Sequence, residues 1–143
     1  MMPIKTSCLI VFLLISVFFV GCTQAKEESG NSIISISLEC LQPAKGESCK
    51  DQFFDDTQSI ILFENAINHA VIMPGELNYI AEYEMMVTYT NDTELKYHLS
   101  LGTDRTMNGL LVNTSNSSQG YEIPLKYANE LREQLEIQGG LKD

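Results

Sequence analysis

Tyr83-Glu84-Met85-Met86-Val87-Thr88-Tyr89-Thr90, then Asn91-Asp92-Thr93-Glu94, then Leu95-Lys96-Tyr97-His98-Leu99-Ser100-Leu101: this stretch decides the fold. In its first part Tyr83, Met85, Val87 and Tyr89 alternate with Glu84, Met86, Thr88 and Thr90. In its last part Leu95, Tyr97, Leu99 and Leu101 alternate with Lys96, His98 and Ser100. Successive side chains of a strand point to opposite faces, so a period of two marks a strand with one buried face. Two such runs joined by a short polar turn rich in Asn, Asp and Thr make a β-hairpin.

The neighbouring segments extend this hairpin. Residues 109–113 read as a third strand of the same meander. Upstream, Ile34, Ile36 and Leu38 alternate with Ser35 and Ser37, another strand, and residues 41–56 read as loop, with Pro43 and Gly46. A helix is predicted to start near Asp55, which with Gln58 three residues on approximates a capping pair. Its apolar stripe is Ile60, Phe63, Ile67, Ala70 and Val71, and Pro74-Gly75 ends it. A second helix opens at Pro124, turns Ala128, Leu131 and Leu135 inward and stops at Gly139-Gly140. The expected order is strand, helix, strand, strand, strand, helix. That order predicts an α+β fold, a small antiparallel sheet with both helices packed on one face.

Residues 1–22 speak of location. Lys5 supplies a short positive region, Leu9 opens an apolar run of about a dozen residues, and Phe19-Val20-Gly21-Cys22 closes it. The run is well short of the ~20 residues that span a bilayer. This ending resembles the lipobox of bacterial lipoproteins, which implies that the Cys22 thiol takes a diacylglyceryl group and becomes the mature N-terminus. The expected organisation is a signal peptide over 1–21, a lipidated Cys22 with a polar tether over 22–32, and one domain over 33–143. Ten tether residues reach roughly 15–20 Å, which keeps the domain close to the cell membrane on its extracytoplasmic face.

Charge agrees with a lipid anchor as the means of attachment. Nineteen acidic residues against nine basic ones give a net charge of −10. Such a chain lacks the clustered cations that nucleic acid needs, and anionic headgroups repel it. Two acyl chains (palmitate or similar) suffice to hold a protein at a membrane, so Cys22 is the expected membrane contact. Of the four cysteines, Cys8 leaves with the signal and Cys22 takes the lipid. Cys40 and Cys49 remain as an even pair, expected to form a disulfide outside the cytoplasm, with two reduced thiols as the alternative. Closing so short a loop contributes roughly 2.5–3 kcal/mol on the chain-entropy account.

Several pieces together resemble one family. They are Ile60-Ile61-Leu62-Phe63-Glu64-Asn65-Ala66-Ile67-Asn68-His69-Ala70, the turn Pro74-Gly75, Tyr83-Glu84-Met85-Met86-Val87, and Tyr97-His98-Leu99-Ser100-Leu101-Gly102. The close Tyr121-Glu122-Ile123 before a Leu-rich terminal helix fits with them. This pattern resembles the YhfM-like domain of small lipoproteins of spore-forming Gram-positive bacteria. The resemblance covers most of the mature chain and implies no reaction, so it brings no catalytic residue.

The residues that could carry chemistry have plainer readings. His98 lies on the polar parity of its strand and His69 at the edge of the helix stripe, neither with a carboxylate at ligand spacing on its own element, so no metal site is expected. Asp51, Asp55 and Asp56 lack the glycine and the bidentate Glu of a calcium loop and read as charges at a helix start. Glu130, Glu133 and Glu136 read as a solvated helix face. Thr114-Ser115-Asn116-Ser117-Ser118 is hydroxyl-rich without being a nucleophile elbow. The six tyrosines read mainly as core, because Tyr83, Tyr89 and Tyr97 share parity with aliphatic neighbours; the other reading is an interaction surface on the uncovered sheet face. The expectation is therefore a non-catalytic binding module that uses no cofactor and takes an envelope protein or a small ligand as partner. The alternative is a small envelope hydrolase assembled around His98, with Ser115 and Asp104.

Overall fold

The computed structural model describes residues 31–42 and 49–140. Seven strands and two helices follow in the order β1 (Ile33–Cys40), β2 (Gln52–Phe54), α1 (Thr57–Asn68), β3 (Val71–Ile72), β4 (Tyr83–Tyr89), β5 (Glu94–Ser100), β6 (Gly109–Asn113), β7 (Gly120–Ile123) and α2 (Leu125–Gly140). All seven strands form one antiparallel sheet in the spatial order β2-β1-β4-β5-β6-β7-β3. The class is α+β as the pattern predicts, with three more strands than the expected order contains.

The hairpin at the centre follows the alternation that predicts it. Tyr83 lies opposite Leu99, Met85 opposite Tyr97 and Val87 opposite Leu95. Asp92 takes a φ of 62° in the turn, a left-handed conformation that Asp tolerates better than most residues. Tyr89 N–H donates to the Thr93 carbonyl at 2.9 Å, and the Asn91 side chain accepts from Thr93 N–H at 3.1 Å. Through the register, Ile36, Leu38, Leu111 and Ile123 join the same side of the sheet. Phe63 and Ala66 of α1 and Ala128 and Leu131 of α2 complete this single core, so both helices cover one face. The helices also touch each other, Gln134 Nε2 donating to Ser59 Oγ at 2.9 Å.

Four local features differ from the expectation. A bulge between Ile33 and Ser35 turns Ile33 inward and leaves Ile34 44% exposed, since one extra residue flips the parity before it. Within the expected loop, Gln52–Phe54 forms β2, where Phe54 packs on Phe63 with ring centroids 5.0 Å apart. The cap of α1 is Asp56, one residue later than Asp55, and its carboxylate accepts from Ser59 N–H at 2.9 Å. The helix ends at Asn68 with His69 as its C-cap, well before Pro74-Gly75. Val71 and Ile72 leave the helical path because β7 has an open edge, and they pair there with Glu122 and Tyr121. The buried face of α1 is accordingly Ser59, Phe63 and Ala66, with Ile60 and Ile67 at its margin.

Candidate functional site

The face of the sheet away from the helices holds His98, and residues 73–82 divide it. This segment leaves β3 at one edge of the sheet and returns to β4 near its middle, so it must cross β7, β6 and β5. At the start Met73 N–H donates to the Gly120 carbonyl at 2.9 Å, and Gln119 Nε2 donates to the Met73 carbonyl at 3.1 Å. A Cβ on Gly120 would lie 2.6 Å from Leu77 Cδ2, so glycine makes the room that Leu77 fills. Val112, paired with Gly120 and on the same outward parity, is fully buried. Further along, Ser100 Oγ donates to the Ile80 carbonyl at 2.9 Å. The connection is a strap that shields half of the outer face.

His98 lies under this strap. Its Nδ1 and the Tyr79 hydroxyl share a hydrogen bond of 2.7 Å, and the two rings sit tilted at 5.8 Å. Beside it in the register stands Glu84, whose carboxylate is taken by Lys96 Nζ at 2.8 Å. That hydrogen bond, followed by the negative fields of Glu84, Glu39 and Glu94, holds the Lys96 ammonium above its ordinary range. Among the described residues the strap leaves the remaining outer face of β1 and β4 uncovered, with Ser35, Ser37, Met86 and Thr88 half-buried there; Phe53 on the adjoining edge strand is 58% exposed.

Ser115 and Asp104 sit at opposite ends of β5. Ser115 belongs to a short 3-10 turn, Thr114–Asn116, whose Thr114 Oγ1 donates to the Lys96 carbonyl, and Ser115 N–H caps onto Asn113 Oδ1 at 2.9 Å. Asp104 lies beyond the other end, accepting from Thr106 N–H at 2.8 Å and Thr106 Oγ1 at 2.6 Å. Those two hydrogen bonds hold its carboxyl below the ordinary carboxylate range. The fold does not bring Ser115, His98 and Asp104 together. His69 stacks on Tyr127 at 4.5 Å while its Nδ1 bonds the Asn65 carbonyl at 2.8 Å. Among the described residues no three His, Cys, Asp or Glu side chains gather as a metal-binding group.

Sequence reasoning missed the most elaborate polar cluster. Arg132 is 4% exposed, at the flank of the α2 stripe. Its guanidinium donates to the carbonyls of Leu101, Gly102 and Met107 and to Asn129 Oδ1. Burial lowers its pKa from the ordinary value, while the Glu82 charge works the other way. From the opposite side the Glu82 carboxylate accepts from Leu101 N–H at 2.9 Å and Gly102 N–H at 3.0 Å. Arg105 reaches Glu136 with both carboxylate oxygens within 3.0 Å, so Glu136 is an anchor and not only a solvated charge. Asn129, Arg132 and Glu136 recur at helical spacing and clasp the segment 101–108 onto α2.

Cys40 and Cys49 are bridged, with Cα atoms 5.7 Å apart. Asp51 accepts from Cys40 N–H at 2.8 Å, which gives that acidic residue a place in the same corner. Cys22, the expected lipidation residue, lies outside the described residues. A family model described as YhfM protein matches residues 30–138. The chain belongs to the YhfM family. Its matched span contains the whole sheet, the strap, the disulfide and the clasp, and it begins after Cys22. No curated protein and no solved structure matches the chain.

Proposed function

We propose that this YhfM-family protein is an envelope lipoprotein, held on the extracytoplasmic face of the cell membrane by a diacylated Cys22, whose domain acts by binding and not by catalysis. The observation that carries the location is the apolar run ending in Gly21-Cys22, with a polar stretch between it and the first strand at Ile33. The bridged pair Cys40 and Cys49 supports it, because such bonds persist in oxidising surroundings. Among the described residues no helix is long and apolar enough to cross a membrane, so attachment would fall to the lipid. The binding role is supported by where the reactive groups are engaged. Glu82, Asp104 and Arg132 hold backbone, and His98 holds the strap. Its partner, an envelope protein or a small ligand, would meet the half of the outer sheet face that the strap leaves uncovered among the described residues.

Detergent phase separation tests the anchor: native protein should enter the detergent phase and Cys22→Ala the aqueous phase, whereas equal partition of both would end the lipoprotein reading. For the role, His98→Ala should still complement a deletion. If that variant folds normally and fails to complement, a catalytic site around His98 replaces the binding module.

A further inference from the structure

One residue joins two features that lie far apart in the sequence. The Glu82 carbonyl accepts from Leu41 N–H at 2.8 Å and from Gln42 N–H at 3.2 Å, the two residues that follow Cys40. Cys49 Sγ approaches the same carbonyl at 4.0 Å. Glu82 N–H donates to the Leu99 carbonyl, and its carboxylate takes the amides of Leu101 and Gly102. The carbonyls of those two residues are in turn what Arg132 grips. An unbroken set of hydrogen bonds thus runs from the disulfide corner, through Glu82, to the segment 101–108 clasped on α2. Cys40 and Cys49 are both half-buried residues and not sealed in the core.

We propose that the Cys40–Cys49 bridge is a redox-sensitive device whose state is read at Leu101 and Gly102 through Glu82. A dithiol reductant would attack one sulfur, form a mixed disulfide and then leave as its own cyclic disulfide, so that the S–S bond breaks and two thiols form. The bridge ties the end of β1 covalently to the segment entering β2. Once it is cut, the hydrogen bond from Cys40 N–H to Asp51 and the pairing of β1 with β2 and β4 remain, but Leu41 and Gln42 lie just past the last pair, Cys40 with Tyr83, and these two donors on the Glu82 carbonyl are held less firmly. The Glu82 carboxylate then holds the amides of Leu101 and Gly102 less firmly, while Arg132, Asn129 and Glu136 keep the segment near α2.

Amide hydrogen exchange on the full-length chain, oxidised and after dithiothreitol, tests this. Reduction should speed exchange at Leu101 and Gly102 by about fivefold or more, the weight of one net hydrogen bond, and leave the amides of β6 and β7 nearly unchanged. Glu82→Ala should exchange fast at those two amides in both redox states. Cys40→Ser/Cys49→Ser should match the reduced protein without added dithiol. Unchanged exchange at Leu101 and Gly102 on reduction overturns the proposal. So does an equal acceleration across β6 and β7, which would mean general loosening with no directed path. The dithiol comparison on the unmutated chain decides the matter alone if a variant does not fold.

Discussion

Arg132 shows how a charge can be held inside a small domain with no carboxylate in contact among the described residues. Its donors are matched by three backbone carbonyls and one amide oxygen, which replace the water it lost. Arg132→Met keeps the volume and orphans the carbonyls of Leu101, Gly102 and Met107. Relief from burying a cation offsets part of that, so the expected net loss is about 2–4 kcal/mol in a urea melt. Arg132→Lys should recover less than half of it, since an ammonium cannot span acceptors set for a planar fork. His98 makes a smaller case. His98→Ala removes one hydrogen bond to Tyr79 and should cost about 1 kcal/mol, where Ser115→Ala, bonded through its backbone N–H, should stay within about 0.5 kcal/mol. A cycle with Tyr79→Phe checks that the loss belongs to this pair. None of this was legible in the residues. A histidine on a polar parity reads as solvated until a strap arrives from elsewhere in the chain, and an arginine beside an apolar stripe does not say where its head goes.

At the scale of elements, legibility followed length. β4 and β5 are seven residues each, long enough for the period of two to show, and every inward position of the hairpin core was readable. The α2 stripe of Ala128, Leu131 and Leu135 was readable for the same reason. β2 and β3 have three and two residues, too few for any period, and Ala70-Val71 fits a helical stripe as well as a strand. What ended α1 was the open edge of β7, a tertiary demand that local pattern does not contain. The N-cap carries its own prediction. Two hydrogen bonds from Ser59 lower the pKa of Asp56, so its ionised form is favoured in the folded protein. The resulting stability is present above the ordinary aspartate value of about 3.9 and fades as pH falls through the lower folded value. Melting curves between pH 2 and 6 should therefore show Asp56→Asn less stable than the native protein at pH 6, with the gap narrowing in acid. A gap independent of pH would assign the cap to geometry and not to charge.

For the whole molecule, one core couples both helices to every long strand. Leu131 is buried at its centre, so Leu131→Ala should cost about 2–5 kcal/mol, a large share of the 5–15 kcal/mol that holds a domain of this size. Helical and sheet signals should melt together in that variant; separate transitions would mean that α2 is an independent layer. The sheet as a whole has two borders, β2 and β3, and both are stubs. A long straight border would offer a ladder of free amides and carbonyls to any passing strand. Here the central strands β4, β5 and β6, rich in Met, Leu, Val and Tyr, lie inside the sheet, and the border strands are too short to start such a ladder, with β2 covering only Ile36–Leu38 of β1. Copies crowded side by side would thus find little border on β2 or β3 to pair with, which works against zippering into a continuous sheet.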